Sequence, residues 1–165
     1  MTNTLKPASK PDSAPGFEVR PLDPPHSTVL IEELAALHQD GFERPWSPAS
    51  LRQTLERPVA RSWGAFAAGE TVKPLGFLTC DWVAREAEIL TFAVAPFMRR
   101  SGVGGALLGT MMAAAENTAM SRIFLEVAET NIAALRLYER AGFARTGRRT
   151  GYYAGTDALL MEYSL

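Results

Sequence analysis

Apolar residues recur along this chain at two spacings, and the spacing predicts which segments form strands and which form helices. Alternating or continuous apolar runs bounded by Gly and Pro predict strands. They cover Phe17–Arg20, Arg61–Ala68, Leu75–Val83, Ala87–Val94, Ile123–Ala128, Phe143–Arg149 and Ala158–Tyr163. Apolar residues three or four positions apart predict helices. They cover Ser27–Gln39, Pro48–Leu55, Gly102–Thr118 and Asn131–Ala141.

Residues suited to capping mark the ends of two of these helices. Ser47 followed by Pro48 predicts an N-cap and a first turn for the second helix. Thr130 or Asn131 is the expected N-cap of the fourth helix, and Gly142 stands where a left-handed residue usually ends a helix. The resulting order, β-α-α-β-β-β-α-β-α-β-β, indicates a mixed α/β domain without internal repeats.

Composition limits the number of domains and the kinds of partner. With 165 residues, 47% of them hydrophobic, the chain suits one folded domain over residues 17–165. Residues 1–16 are rich in Pro, Ser, Thr and Lys, so we expect them to form a flexible tail. The 17 basic and 18 acidic side chains leave a net charge of −1, and we therefore expect no direct binding to nucleic acid or membrane.

The reactive and metal-binding residue types are few. Cys80 is the only cysteine, which excludes an intramolecular disulfide and fits a reducing compartment. The chain has no apolar run near the ~18 residues of a membrane span and no secretory signal, so a cytoplasmic location is expected. His26 and His38 lack the spacing of metal ligands, so no metal is predicted and both are expected at the surface.

A basic, glycine-rich turn joins the strand that ends at Val94 to the third helix. It reads Arg99-Arg100-Ser101-Gly102-Val103-Gly104-Gly105. Unpaired N–H groups and the dipole at a helix start attract anions, and glycines let a ligand approach closely. A pyrophosphate suits such a site, while a tight connection with solvated arginines is the alternative interpretation. The GxGxxG dinucleotide motif is excluded, because Leu107 stands where its last glycine belongs.

This turn resembles the acetyl-CoA signature Q/R-x-x-G-x-G/A of the GNAT superfamily, and further segments match in the same order. They are Pro45-Trp46-Ser47, Phe124-Leu125-Glu126-Val127, Asn131, Leu137-Tyr138-Glu139, Gly142-Phe143, Arg148-Arg149, Tyr152-Tyr153 and Asp157-Ala158-Leu159. Together they are similar to the RimI-type ribosomal-protein-alanine N-acetyltransferases, over roughly residues 17–165. Gly105 and Ala95 depart from the pattern, since relatives often carry a basic and a polar residue at these positions.

The resemblance implies a GNAT fold, whose mostly antiparallel central sheet is splayed between its fourth and fifth strands and carries helices on both faces. It also implies acetyl-CoA as co-substrate, with its pantetheine arm between those strands and its pyrophosphate on the glycine-rich turn. The implied cofactor-binding residues are Phe92, Ala93, Val94, Arg99, Arg100, Ser101, Gly102, Val103, Gly104, Gly105 and Asn131.

Two side chains are candidates for the chemistry of amine acetylation, which needs a proton removed from the amine and a proton given to the departing thiolate. Glu126 stands in an apolar run, where partial burial would make it a more useful base. By resemblance it is the general base, acting through water, and Tyr138 is the proton donor. The alternatives are a solvated carboxylate for Glu126 and an aromatic core residue for Tyr138.

The resemblance also implies where the acceptor binds and what it is. Trp46, Tyr152 and Tyr153 would flank the acceptor cleft, and the acceptor would be the N-terminal amine of a protein, namely a small-subunit ribosomal protein that begins with alanine. Arg148 and Arg149 are expected to be a solvated charge pair. Two alternatives stay open: an enzyme acting on a small amine or on protein lysines, and an acetyl-CoA-binding module without activity, which would require neither Glu126 nor Tyr138.

Overall fold

The computed structural model describes residues 16–153 and 155–165. The expected tail, residues 1–16, lies outside the described residues apart from Gly16. Within them, strands β1 to β7 cover Phe17–Pro21, Ala60–Ala67, Pro74–Val83, Glu86–Val94, Arg122–Ala128, Ala144–Tyr153 and Thr156–Ser164. Helices α1 to α4 cover Thr28–Gly41, Pro48–Leu55, Val103–Asn117 and Ile132–Arg140, and a 3₁₀ turn at Pro96–Met98 precedes α3. None of the helices in this part of the chain is both long and apolar enough to cross a membrane.

The predicted order of elements is confirmed, and one strand end differs from its prediction by several residues. β6 runs to Tyr153 instead of ending at Arg149. Gly151 has a left-handed φ of 67° and lies within an irregularity in the β6–β7 pairing between Arg149 and Tyr153, so the strand continues past it. The hairpin is therefore longer than the apolar pattern indicated.

Seven strands of the described chain form a single sheet in the order β1-β2-β3-β4-β5-β7-β6. Every neighbouring pair is antiparallel except β4 and β5, which are parallel. The helices cover both faces of the sheet. We call these faces the α3/α4 face and the α1/α2 face. The prediction of a mixed, mostly antiparallel sheet with helices on both faces is thus confirmed.

Each face of the sheet has its own apolar core. On the α3/α4 face the buried cluster includes Leu78, Ile89, Leu107, Met111, Ile123, Leu125, Leu135 and Tyr138. On the α1/α2 face it includes Ile31, Leu34, Leu51, Leu55, Phe66 and Phe77. Burying a side chain of this size contributes roughly 1.5–3 kcal/mol, so both helix pairs are held to the sheet mainly by these contacts.

The parallel pair β4 and β5 separates halfway along its length. Their pairing runs only from Glu86 opposite Arg122 to Ile89 opposite Leu125, although both strands continue beyond it. Leu90 is an extra residue in β4, because Thr79 and Cys80 of β3 pair with Thr91 and Ile89. Such a bulge bends a strand and increases its twist, which accounts for the separation. The predicted splay between the fourth and fifth strands is confirmed, and it leaves an opening at the carboxyl ends of both.

Candidate active site

The start of α3 has the backbone geometry of an anion site. Gly102 is the N-cap residue with φ 91°, and Arg100 also has a positive φ of 63°. No described side chain caps this helix, so the N–H groups of its first turn are available to a ligand. The Ser101 hydroxyl donates a 2.6 Å hydrogen bond to the carbonyl of Met98, which fixes the turn that precedes the helix.

The glycines of the turn differ in what surrounds them. A Cβ added at Gly105 would meet no atom within 4 Å. A Cβ at Gly104 would lie 3.4 Å from Leu137 Cδ2 and 3.7 Å from atoms of Phe92 and Val94. Gly104 therefore faces the space bounded by α3, α4 and the free part of β4, and a larger side chain there would occupy it. The neighbouring Arg99 and Arg100, like Ser101, are exposed, and Val103 is buried in the core.

The part of β4 beyond its pairing with β5 contains Phe92, Ala93 and Val94. Phe92 and Val94 pack against the core of the α3/α4 face, and Ala93 belongs to the core of the opposite face. The edge of β4 that β5 has left presents backbone N–H and C=O groups, which an extended ligand could pair with as an added strand.

Asn131 caps the N-terminus of α4. Its side-chain oxygen accepts a 3.2 Å hydrogen bond from the Ala134 N–H, which confirms it as the N-cap. Its side-chain amide can still donate toward a ligand, because capping uses only the oxygen. At the other end of α4, Gly142 has a φ of 96°, as predicted.

The two candidate chemical groups lie on opposite faces of the sheet. Glu126 stands between Leu125 and Val127, which are both buried on the α3/α4 face, so its side chain points to the α1/α2 face. This side chain is 21% exposed. Tyr138 is buried on the α3/α4 face, where its ring lies 6.3 Å from that of Phe92 and 5.6 Å from that of Phe143. The two groups are therefore separated by the sheet at its opening.

Charged residues surround Glu126 on the α1/α2 face. Arg149 Nη2 lies 2.7 Å from Glu126 Oε1. On β4, burial raises the pKa of Glu88, and the negative charges of Asp81 and Glu126 raise it further. Asp81 in turn pairs with Arg57 at 2.8 Å. In the described part of the chain, no three or more His, Cys, Asp or Glu side chains form a group that could hold a metal ion.

Arg148 and Arg149 are solvated as predicted, each with a side chain 55% exposed, but they do not act as a pair. They point to opposite faces of β6, and each makes its own ion pairs. Arg148 Nη1 lies 3.0 Å from Glu129 and 2.9 Å from Asp157, while Arg149 contacts Glu126. The sequence could not indicate these partners, because they depend on the register of β6, β7 and β5.

The α1–α2 loop, which carries Trp46, is organised by a buried histidine. The Trp46 backbone N–H donates a 3.2 Å hydrogen bond to His38 Nδ1. The His38 ring stacks on Phe42 at 4.1 Å and on Trp46 at 5.2 Å. Burial lowers the pKa of His38 to about 4. The prediction that His26 and His38 are surface residues is therefore wrong, since they are only 6% and 2% exposed.

The β6–β7 hairpin carries the other candidate acceptor residues. Tyr152 is exposed, and the Arg149 guanidinium lies 5.0 Å from the centre of its ring. Asp157 accepts a 2.9 Å hydrogen bond from the Gly151 N–H, which shapes the hairpin. Tyr153 ends β6, and its side chain lies outside the described part of the structure.

Both candidate acceptor segments lie at the end of the sheet where β4 and β5 separate. His38 is 6.4 Å from the ring of Phe77, which pairs with Ala93 in the free part of β4. Arg149 pairs across the sheet with Ala158, which pairs with Ala128 at the end of β5. The two segments therefore lie at the same end of the sheet as Glu126, whose side chain points to the α1/α2 face there.

Comparisons with known proteins agree with this geometry. The family model described as Acetyltransferase (GNAT) family matches residues 31–143. The chain is 34% identical over 141 residues to Uncharacterized protein ML0378 of Mycobacterium leprae, covering 80% of this chain and only 37% of that protein. It is 34% identical over 124 residues to the N-alpha-acetyltransferase RimI of Mycobacterium tuberculosis, covering 72% and 75%. It is 32% identical over 125 residues to the ribosomal protein bS18-alanine N-acetyltransferase of Escherichia coli K12, covering 74% and 82%.

Solved structures share the fold over most of the chain. The crystal structure of the ribosomal-protein-S18-alanine N-acetyltransferase from Escherichia coli matches with a TM-score of 0.80 and 26% identity, covering 90% of this chain and 93% of that one. Arabidopsis thaliana NAA60 in complex with acetyl-CoA matches with a TM-score of 0.76 and 21% identity, covering 90% and 98%, a likeness that concerns the fold alone. The expected fold and the resemblance to RimI-type proteins are confirmed.

Proposed function

Because the chain belongs to the acetyltransferase (GNAT) family and is an acyltransferase, we propose that it transfers the acetyl group of acetyl-CoA to the N-terminal amine of a protein. The acceptor that we propose is a small-subunit ribosomal protein that begins with alanine. Support for this acceptor comes from the Escherichia coli relative, whose name specifies the alanine of ribosomal protein bS18.

The observation that carries the proposal is the opening between β4 and β5, with a different candidate group on each face. Glu126 points to the α1/α2 face, at the end of the sheet where the two candidate acceptor segments lie. Tyr138 lies on the α3/α4 face, next to the free part of β4 and the start of α3. Such an arrangement lets an acyl donor and an amine approach the opening from opposite sides.

The residues on the α3/α4 face fit acetyl-CoA, which when bound supplies the acetyl thioester. The first-turn N–H groups of α3 would bind the pyrophosphate, with charge added by Arg99 and Arg100. The backbone of Phe92–Val94 would pair with the pantetheine arm, and the Asn131 amide would donate to it. The open space at Gly104 and Gly105 gives the ligand room to approach this backbone.

The residues around the opening then perform proton transfer. Glu126 would accept a proton from the acceptor ammonium through a water molecule, and thereby generate the nucleophilic amine. Tyr138 would donate its hydroxyl proton to the departing sulfur, since its ring is held by Phe92 and Phe143 at the edge of the opening. Two separate groups allow proton removal and proton delivery to occur on the two sides of one reacting centre.

An α-amine suits this cleft better than a lysine or a polyamine. An α-amine has a pKa near ~8 and a lysine one near ~10.4, so a single carboxylate suffices for the former at neutral pH. A polycation would favour several carboxylates free to bind it. Here Asp81, Glu126 and Asp157 are each within 3 Å of an arginine nitrogen.

The test compares three acceptors at matched concentration with acetyl-CoA, with products read by mass spectrometry. They are an alanine-initiated peptide, its N-terminally blocked copy carrying a free lysine, and spermidine. Acetylation confined to the first peptide is expected. Preference for the blocked peptide or spermidine would overturn the proposed acceptor, and binding of acetyl-CoA without any transfer would overturn the proposed activity.

A further inference from the structure

Arg149 makes the ion pair with Glu126 from two strands away. Glu126 is on β5 and pairs with Leu160 of β7, while Arg149 is on β6 and pairs with Ala158 of β7. The arginine side chain therefore crosses β7 to reach the carboxylate at 2.7 Å. On this face β7 carries the small, fully buried Ala158 opposite Arg149 and the larger Leu160 opposite Glu126. The small side chain opposite Arg149 leaves room for the guanidinium to lie over β7 on its way to the carboxylate.

The same guanidinium contacts the acceptor hairpin. It lies 5.0 Å from the centre of the Tyr152 ring, within the range of a cation–π contact. The Arg149 guanidinium thus contacts both the candidate base, Glu126, and a candidate acceptor-binding residue, Tyr152. The Arg149 side chain is 55% exposed, whereas the Glu126 side chain is 21% exposed. The arginine is therefore the more exposed partner of the pair, and the carboxylate is the more buried one.

The ion pair between Arg149 and Glu126 lies next to two further carboxylates. Glu88 and Asp81 extend the row of acids across β4 and β3, and the charges of Asp81 and Glu126 both act on Glu88 and raise its pKa. Arg57 balances this row at the Asp81 end, and Arg149 balances it at the Glu126 end. Without Arg149, repulsion from Glu88 would favour rotamers that turn the Glu126 carboxylate away from the opening.

We propose that Arg149 is a positioning residue that holds the Glu126 carboxylate at the opening and couples its orientation to the Tyr152 hairpin. The proposal rests on the proposed function and deepens it, because it assigns to Arg149 an effect on turnover that acts through Glu126. Arg149 takes no proton and acts on the reaction only through the Glu126 carboxylate. A base held in one orientation matters because small displacements of a catalytic group lower rates by up to ~10²-fold.

The test is a double-mutant cycle on turnover. Arg149→Met is expected to lower kcat roughly 10- to 100-fold in the wild-type background. In the Glu126→Gln background it should change kcat less than about twofold, because the group that it positions is gone. Arg149→Lys should recover part of the loss, since a lysine supplies the charge without the planar fork. Acetyl-CoA affinity by calorimetry should be unchanged in all variants.

Arg145→Met is the matched control. Arg145 lies on the same strand with the same 55% exposure, but its ion pair is with Glu139 of α4, on the opposite face. It should leave kcat unchanged. Additive losses in the cycle, or an equal loss in Arg145→Met, would overturn the role of Arg149.

The choice of acceptor amine and a structural readout make failure of this proposal distinguishable from failure of the proposed function. The cycle is run with whichever amine the acceptor comparison identifies, so inactivity toward the alanine-initiated peptide counts only against the proposed acceptor. Independently of turnover, a crystal structure of Arg149→Met should show the Glu126 carboxylate rotated from its present position. An unmoved carboxylate would also overturn the proposal.

Discussion

His38 gives the stability of this domain a defined dependence on pH. Its ring is stacked between Phe42 and Trp46 and accepts the Trp46 N–H at Nδ1, so only the neutral ring fits the site. Burial lowers its pKa from 6.5 to about 4. The unfolded chain therefore binds a proton at this residue at a pH where the folded domain does not. Stability from this residue is fully present above pH 6.5 and is lost as the pH falls toward about 4.

The size of the loss follows from these two values. A tenfold change in proton affinity corresponds to ~1.4 kcal/mol. Between pH 7 and pH 5 the contribution of His38 to the free energy of unfolding therefore falls by about 2 kcal/mol. The residue is 2% exposed, so screening by solvent does not reduce this figure appreciably. Such a loss is a substantial part of the 5–15 kcal/mol that is typical of single domains.

The perturbation is His38→Asn, which keeps an acceptor near the position of Nδ1 and cannot titrate. Urea unfolding of both proteins is measured at several pH values from 7 to 5. Both retain His26, whose own lowered pKa cancels in the difference. As the pH falls over this range, the free energy of unfolding of the wild type should decrease by about 2 kcal/mol more than that of the variant. If the free energies of unfolding of the two proteins fell in parallel with pH, the assignment of the pH dependence to His38 would be refuted.

Three further predictions concern the opening and the core beside it. Glu126→Gln and Tyr138→Phe should each lower kcat by ~10²–10⁴-fold while acetyl-CoA affinity in calorimetry stays unchanged; full activity of both would leave them as packing residues. Gly104→Val should weaken acetyl-CoA binding by about tenfold or more, because the added methyl groups enter the space beside Phe92 and Val94, whereas Gly109→Val on the same helix should not. Thr91→Val should raise the free energy of unfolding by about 1 kcal/mol, because the Thr91 hydroxyl is buried without a hydrogen-bond partner among the described residues. A lower free energy of unfolding than that of the wild type, measured by urea titration, would contradict this.

Local patterns predicted the elements well, because their causes lie within a few residues. The N-caps at Ser47 and Asn131 and the left-handed Gly142 depend only on neighbouring backbone groups. The buried position of His38 was also present in the sequence, since it follows Ile31 and Leu34 at helical spacing. The prediction of a surface position rested on the polar residue type of His38, and it was wrong because the helical periodicity places His38 on the buried face of α1.

Contacts across the sheet could not be predicted in the same way. The partner of Arg149 depends on two strand registers and on a bulge, and a shift of one residue in either would turn the side chain to the other face. The separation of β4 from β5 was expected only through family resemblance. Its local cause, the extra residue Leu90, stands in an apolar run that shows no glycine or proline to signal a bulge.

The opening between β4 and β5 has a consequence for how such a domain can diversify. The α3 turn and α4 lie on one face of the sheet and the α1–α2 loop lies on the other, while the β6–β7 hairpin is part of the sheet. The sheet separates the α1–α2 loop from the α3 turn, so a substitution in the loop is expected to leave the shape of the turn intact. Exchange of the α1–α2 loop and the hairpin could therefore change which amine is selected while the use of the same acyl donor is retained. Selectivity for the acceptor amine can therefore change while the binding site of the acyl donor stays the same.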